Sequence, residues 1–460
     1  HRWDLVAGAE RFEVSGRYPL QARCVQLARM GCVVFHYDMV GYADSVQLGH
    51  GPGFRPAMST PENWGYFSPQ AEVRSQNMMG LQTYNSIRAL DWFSALPDVD
   101  PKRIAVTGAS GGGTQTFILC ALDPRPAVAF PAVMVGTAMQ GGCTCENACY
   151  LRVDTGNIEI AALIAPRPLG MTAADDWTKE IMTKGLPELK PVYKLFGVED
   201  RVMARPLLHF PHNYNYVSRA VMYGWLNRHL HLGFAEPIVE EDFKPLSIPE
   251  LSVWDEKHPK PKVGDDYERS LLKWITADSE RQMQALVPHD AASLAEYRRV
   301  VGGALEAMIG REVPPKGAVQ ADVRQQQDLG PCRLTKMRLR YAAKGEEVPA
   351  VLFEPKGAAR EVVLLLDPCG KQSLLRADGA PREDVARLLA AGSAVLGIDL
   401  FGQGEFTPDG KPLAKARLLT TNHWDRYLGY TLGYNRPLFA QRVHDILSAV
   451  SYLKATRPSE

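Results

Sequence analysis

Apolar and polar positions along the first half of the chain fall into short blocks that predict helices and strands in turn. Residues 21–30 put Cys24, Leu27 and Ala28 on one helical face, and Gly31 closes that helix. Residues 32–37 form an apolar run, predicting a strand buried on both faces that ends in the turn Asp38-Met39-Val40-Gly41. A stretch rich in Gly, Pro and aromatic residues follows to about residue 69 and reads as a long loop. Residues 74–96 predict one long helix carrying Met78, Leu81, Ile87, Leu90 and Phe93. Residues 104–106 predict a short buried strand, and residues 114–122 a helix with Phe117, Ile118 and Ala121 at helical spacing. Further strands are predicted at 127–135, 168–172 and 206–210, with helices at 158–165 and 217–230. Strands alternating with helices imply a parallel sheet covered on both faces.

The pattern changes after residue 233. Prolines and acids dominate to about residue 266, and residues 267–310 predict mostly helix. Strands return at 337–341, 348–353, 362–366 and 394–400. The expected division is an α/β domain at 1–233, a linker plus helical segment at 234–333, and a second α/β domain at 334–460. A weak repeat joins the two ends. Leu27, Gly31, Asp38 and Gly41 match Leu388, Gly392, Asp399 and Gly402 spacing for spacing. The expectation is a duplication whose second copy ends before its own nucleophile turn, in a chain that also lacks the first strands of its first sheet.

Composition narrows the function classes. A chain of 460 residues suits two domains. Lys+Arg and Asp+Glu both number 52 and no basic block occurs, which leaves no field to favour nucleic acid. No apolar stretch reaches the length of a membrane span. Eight cysteines in this length do not make a disulfide scaffold. No signal peptide is visible behind His1, and export cannot be judged from the residues alone.

The candidate chemistry centres on Gly108-Ala109-Ser110-Gly111-Gly112, which fits G-x-S-x-G between a predicted strand and a predicted helix. Side chains at Gly108 or Gly112 are expected to collide with neighbouring backbone in such a turn. The Gly111 amide, at the start of the helix, is the expected oxyanion donor. A serine needs a base, and the base an orienting acid, in the chain order Ser, Asp or Glu, His. His212 is the best base, in a loop opened by Pro211 beyond the strand 206–210. His209 falls inside that strand, His229 and His231 lie near a helix end, and His36 precedes the Asp38 turn. The acid candidates are Asp176 and Asp175 after the strand 168–172, and Glu146 after the strand before it. Two adjacent aspartates cannot both face one imidazole, and one of them caps the following turn; Asp176 is ranked first, ahead of Asp175 and Glu146.

Taken together, G-A-S-G-G-G, A-x-D-W-T-K and F-P-H-N-Y-N resemble α/β-hydrolases of the bacterial acetyl xylan esterase-like type, relatives of dienelactone hydrolases that often carry tandem domains. The resemblance covers residues 20–232 well and 335–460 loosely. It implies an α/β-hydrolase fold followed by a second, truncated α/β-hydrolase-like domain. It also implies Ser110 as nucleophile, His212 as base, Asp176 as acid and Gly111 as one oxyanion donor. The other donor would come from a loop at or before His1-Arg2-Trp3, and Asp367-Pro368-Cys369-Gly370-Lys371 holds the equivalent place in the second half. The implied activity is a serine carboxylesterase acting on a small ester or an acylated carbohydrate such as acetylated xylan. It uses an acyl-serine intermediate, no cofactor and no metal. Export is an expectation of the resemblance only, and oligomeric state is undetermined.

Rival chemistry is thinner. Cys143-x-Cys145-x3-Cys149 lacks the paired spacing of a zinc site and suits a disulfide in an exported protein or free thiols in the cytosol. Gly111-Gly112-Gly113-Thr114 lacks the G-K-[ST] ending of a phosphate loop. A prolyl-oligopeptidase-type peptidase would use the same triad, but its usual propeller is not seen. A glucuronoyl esterase would carry an Arg shortly after the serine and a Lys behind it, where this chain has Gly111 and Gly113. A hydrolase-like binding or scaffold protein would not need the ordered serine, acid and histidine.

Overall fold

The computed structural model describes residues 19–49, 58–138, 141–261, 263–410 and 432–457. They form two compact units, one drawn from His1–Gln282 and the other from Met283–Leu418. Residues 432–435 return to the first unit and Arg436 onward belongs to the second. The stretch 234–333 is shared between them. Among the described residues no helix is long and apolar enough to cross a membrane.

The first unit runs α1 (Pro19–Arg29), a short helix Pro69–Glu72, α2 (Met78–Ser94), β1 (Ala105–Ala109), α3 (Gly111–Leu122), β2 (Val128–Ala132) and α4 (Asn157–Ala162). It continues with β3 (Leu169–Ala173), α5 (Leu186–Leu195), β4 (Val202–Pro206), α6 (Tyr216–Leu230) and α7 (Asp265–Ala285). The four strands lie in the order β1-β2-β3-β4 and pair in parallel throughout. β2 shows how the sheet is covered. Val128, Phe130 and Ala132 pack with Leu27 of α1 and with Met222, Tyr223 and Leu226 of α6. Ala129 turns to the other face, with Phe117 of α3, Ile158 of α4 and Leu189 of α5. The alternation is the period of two that a strand imposes. Each fully buried side chain of the size of Phe117 or Phe130 contributes about 1.5–3 kcal/mol. The first unit is a parallel α/β sheet covered by helices on both faces, and its parallel strands bring four loops to one carboxyl edge.

Three expectations change at this level. The helix expected at 74–96 begins only at Met78, because Ser75 takes a left-handed φ of 55° and Asn77 caps the new start by accepting the Gly80 amide at 2.8 Å. The last strand is Val202–Pro206 rather than 206–210. Pro206 lacks the N–H to extend it, and residues 207–210 close into a turn with Phe210 N donating to Leu207 O at 3.1 Å. His209 therefore sits in a turn. Residues 32–37 form no ladder, and Val33 and Phe35 are 46% and 42% exposed. With no strand among the described residues to pair with, the run is held by side chains: Phe35 lies 4.7 Å from Trp92, and Tyr37 bonds Ser86 Oγ at 2.7 Å.

The second unit contains two short helices, Ala291–Tyr297 and Gly303–Ile309, and then β5 (Gln320–Asp328), β6 (Cys332–Tyr341), β7 (Glu346–Pro355), β8 (Glu361–Leu365), α8 (Glu383–Ala390), β9 (Ser393–Ile398) and α9 (Leu438–Thr456). Its sheet has the order β5-β6-β7-β9-β8, antiparallel except for the parallel pair β8–β9. β5 had no sequence signal, because QADVRQQQD shows no apolar alternation at an edge held by backbone pairing with β6.

The repeat has a geometric counterpart within each unit. Gly31 and Gly392 both end a helix with positive φ, 78° and 84°, and Gly41 and Gly402 turn at 85° and 79°. Asp38 Oδ2 accepts the amide six residues on, Asp44 N at 3.1 Å, and Asp399 Oδ2 accepts Glu405 N at 2.9 Å. The helix ends, the D-x-x-G turns and the carboxylate bonds correspond, whereas residues 32–37 form no ladder and their counterpart is β9.

One carboxylate makes the second unit pH-sensitive. Burial pushes Asp445 up to about 6; the Phe401 amide opposes this, Glu346 adds to it, and Arg311 and Arg442 oppose it. A folded-state pKa above the unfolded value means the folded chain holds the extra proton between about 4 and 6. The stabilisation is full below that window and lost as pH rises through it. Asp445→Asn keeps an acceptor for Phe401 N (2.7 Å). It is expected to melt higher than wild type at pH 7 and to flatten the pH dependence of melting in that window, read by calorimetry.

Candidate active site

β1 is short and, against the expectation of a buried strand, only half-buried, with Gly108 alone fully covered; it breaks sharply at Ser110, and α3 starts at the next residue. Ser110 has φ 57° and ψ −122°, a strained conformation for a residue with a side chain. Two backbone bonds hold it there. Ser110 N donates to Ala132 O of β2 at 3.2 Å, and Thr114 N donates to Ser110 O at 2.9 Å. A side chain at Gly108 would run into the Gly112 carbonyl, as expected. Gly112 itself faces open space. The second crowded glycine is Gly113, where a Cβ would lie 2.8 Å from Met134 Cβ and 3.0 Å from Ala132 O, because α3 crosses the end of β2 at that point. Gly111 is the first residue of α3, where amides have no partner within the helix.

The candidate acid and base come from the loops after β3 and β4. Asp176 Oδ2 and His212 Nδ1 lie 2.7 Å apart, with the two side chains 6% and 33% exposed. The ring nitrogen donates to the carboxylate in this pair, which leaves Nε2 as the proton acceptor. Asp176 Oδ1 accepts both Thr178 N at 2.7 Å and Thr178 Oγ1 at 2.5 Å. Burial pushes the Asp176 carboxyl up, but the bonds from His212 and Thr178 outweigh it and hold it below the usual carboxylate value. Asp176 thus faces the imidazole and caps the turn at once. Asp175 is exposed and ties the two loops together through its amide, which donates to Phe210 O at 2.9 Å. Trp177 lies over His212, ring centroids 4.5 Å apart. Gly136 lets the loop approach, since a Cβ there would lie 3.0 Å from Trp177 O. Ser110 and the Asp176–His212 pair occupy the same carboxyl edge of the sheet. Among the described residues no hydrogen bond joins Ser110 to His212; such bonds often tighten only with substrate in place.

Glu146 sits elsewhere. Its Oε2 accepts the Gly142 and Cys143 amides at 2.6 and 2.9 Å. Its Oε1 lies 3.5 Å from Thr114 Oγ1 and 3.5 Å from where a Gly111 Cβ would be. It borders the elbow, not the imidazole. Burial pushes its carboxyl up against the lowering effect of the Gly142 amide. His36 shares a cavity of about 700 Å³ with Ser110, Gly111 and Gln115, beside β1. Burial and then the Arg23 charge push its imidazole down to about 4, which makes it a weak base. His229 is pushed down to about 4 by burial and packs on Trp225, while His209 packs on Phe210. The loop expected to carry the first oxyanion donor, at or before His1-Arg2-Trp3, lies outside the described residues.

All eight cysteines carry free thiols. The Cys143 side chain, followed by burial, holds the Cys145 thiol far above its usual value, and burial followed by Glu72 raises Cys149, whose Sγ donates to Glu72 Oε2 at 3.0 Å. Among the described residues no group of three or more His, Cys, Asp or Glu could hold a metal ion. Trp177 and Thr178 are the contributors that residue-by-residue reading passed over. A Thr two residues after an Asp is the signal of an Asx turn and was legible in principle.

No family model matches the chain, and no curated protein matches it. Solved structures do. One is the methylesterase BT1017, 25% identical over 58% of this chain and 57% of that chain, with a TM-score of 0.46. Another is a carbohydrate esterase family 15 glucuronoyl esterase from Caldicellulosiruptor kristjansonii, 18% identical over 41% of this chain and 58% of that chain, TM-score 0.29. A third is a glucuronoyl esterase from Sporotrichum thermophile, 17% identical over 43% of this chain and 64% of that chain, TM-score 0.27. The chain thus spans less than two thirds of each of these proteins.

Proposed function

We propose that the first unit is a serine esterase that removes acyl groups from a hydroxylated substrate such as an acetylated plant polysaccharide. The reading is carried by one observation: a strained serine at a strand-to-helix turn shares a sheet edge with a carboxylate–imidazole pair 2.7 Å long. His212 Nε2 takes the Ser110 proton as Oγ attacks the ester carbonyl. The Gly111 amide holds the developing oxyanion. The alcohol leaves with the proton carried by His212, and the same nitrogen then activates the water that releases the acid and frees Ser110. Asp176 holds the imidazole in the required tautomer and stabilises its charged form. The steps need no metal or redox partner.

Hydrolysis of p-nitrophenyl acetate, acetylated xylan oligosaccharides, a methyl glucuronate ester and a prolyl peptide separates the substrate classes. The expected order puts the acetyl esters first and the peptide uncleaved. Asp176→Asn is expected to lower kcat by about 10⁴-fold through the wrong tautomer of His212. Peptide cleavage exceeding ester cleavage would replace the esterase reading with a peptidase one.

A further inference from the structure

We infer that Thr178 is a positioning residue that reserves one oxygen of Asp176 for His212. The inference rests on the reading of Ser110, Asp176 and His212 proposed above. The carboxylate of Asp176 has a divided set of partners. Oδ1 receives two bonds, from Thr178 N at 2.7 Å and Thr178 Oγ1 at 2.5 Å. Oδ2 receives one, from His212 Nδ1 at 2.7 Å. The direction of the Thr178 hydroxyl is set by a third group, because Ala174 N donates to Thr178 Oγ1 at 3.1 Å. With that lone pair engaged, the hydroxyl hydrogen is free to point at Asp176. Thr178 is fully buried, at 0% exposure, so water does not compete for this hydrogen bond.

A carboxylate on a single-bonded side chain otherwise swings about its terminal torsion, which is broad and roughly two-fold. Two bonds from one residue to one oxygen stop that rotation. The backbone amide alone would set the turn, as in many Asx turns. The hydroxyl adds a second bond along a different direction and fixes the carboxylate plane that His212 meets. Trp177, between the two residues, covers the imidazole face at 4.5 Å. The loop thus orients acid and base from consecutive positions.

The test compares Thr178→Val, Thr178→Ser and wild type for p-nitrophenyl acetate hydrolysis from pH 5 to 9, with melting temperatures measured alongside. Thr178→Val is expected to lower kcat about ten- to a hundredfold with KM within about twofold of wild type, the split that marks a lost transition-state arrangement. Its acid limb is expected to move to higher pH, because a carboxylate relieved of one donor binds a proton-bearing imidazole more firmly. Thr178→Ser restores the hydroxyl and is expected to stay within about threefold of wild type. Thr178→Ala carries the expectation of the valine variant and serves if that variant does not fold. A Val or Ala variant with wild-type kcat and an unmoved pH profile overturns the inference. So does a Ser variant as impaired as Val, which would assign the effect to the lost methyl. Ser110→Ala is run beside them: if it is as active as wild type, the underlying esterase reading fails instead.

Discussion

On the proposed reading, Ser110→Ala is expected to lower kcat for p-nitrophenyl acetate by about a millionfold while melting as wild type does, because removing a nucleophile disables the other members of a unit that works together. The effect is expected to be chemical and not structural. Ser110 contributes no side-chain cap to α3, so the turn loses no bond when the hydroxyl goes. Its backbone bonds to Ala132 and Thr114 survive the change. Steady-state kinetics with a melting curve on the same sample check both halves. Residual activity near that of wild type would move the chemistry away from this turn.

Glu240→Ala is expected to destabilise the first unit by about 3–5 kcal/mol, the cost of stranding a buried charge. Arg219 and Glu240 are 0% and 2% exposed at their side chains. Arg219 Nε and Nη2 reach Glu240 Oε1 and Oε2 at 2.6 and 2.9 Å, and Tyr223 OH donates to Oε1 at 2.6 Å. The same arginine donates to Tyr214 O at 2.7 Å, and Tyr214 OH meets Thr107 Oγ1 of β1 at 2.7 Å. The pair therefore pins α6 and the chain after His212 to the strand that carries Ser110. Urea denaturation of Glu240→Ala and of a double variant, Arg219→Met with Glu240→Leu, separates charge from packing. The double variant should recover much of the loss; an equal loss in both would mean that packing dominates.

The elbow was legible because its constraints are local. A short apolar strand, a glycine-flanked serine and a helix follow within fifteen residues, and the apolar runs of β2 and β3 mark strands buried on both faces. The edges of the sheets were not legible. β4 carries Arg205 and is only partly buried, so the apolar residues in the turn after it draw the prediction four residues too far. β5 is polar along its length and exists through its ladder with β6. Residues 32–37 look like a central strand, but ladder partners are a property of the sheet and not of the run. Within the site, Asp176 ranks above Asp175 on the residues, and motif resemblance sharpens the choice that a loop's aperiodic side-chain directions leave open. The crowding at Gly113 instead of Gly112 depends on where α3 crosses β2. The role of Thr178 depends on a hydroxyl whose two partners lie two and four residues back.

Trapping the serine tests the nucleophile most directly. Wild-type protein and Ser110→Ala are treated with a fluorophosphonate, digested and examined by mass spectrometry. The expected result is one phosphonyl adduct, on the peptide containing Ser110, absent from Ser110→Ala and suppressed by His212→Ala. An adduct on a different residue, or an equal adduct in Ser110→Ala, would contradict a nucleophile at this turn.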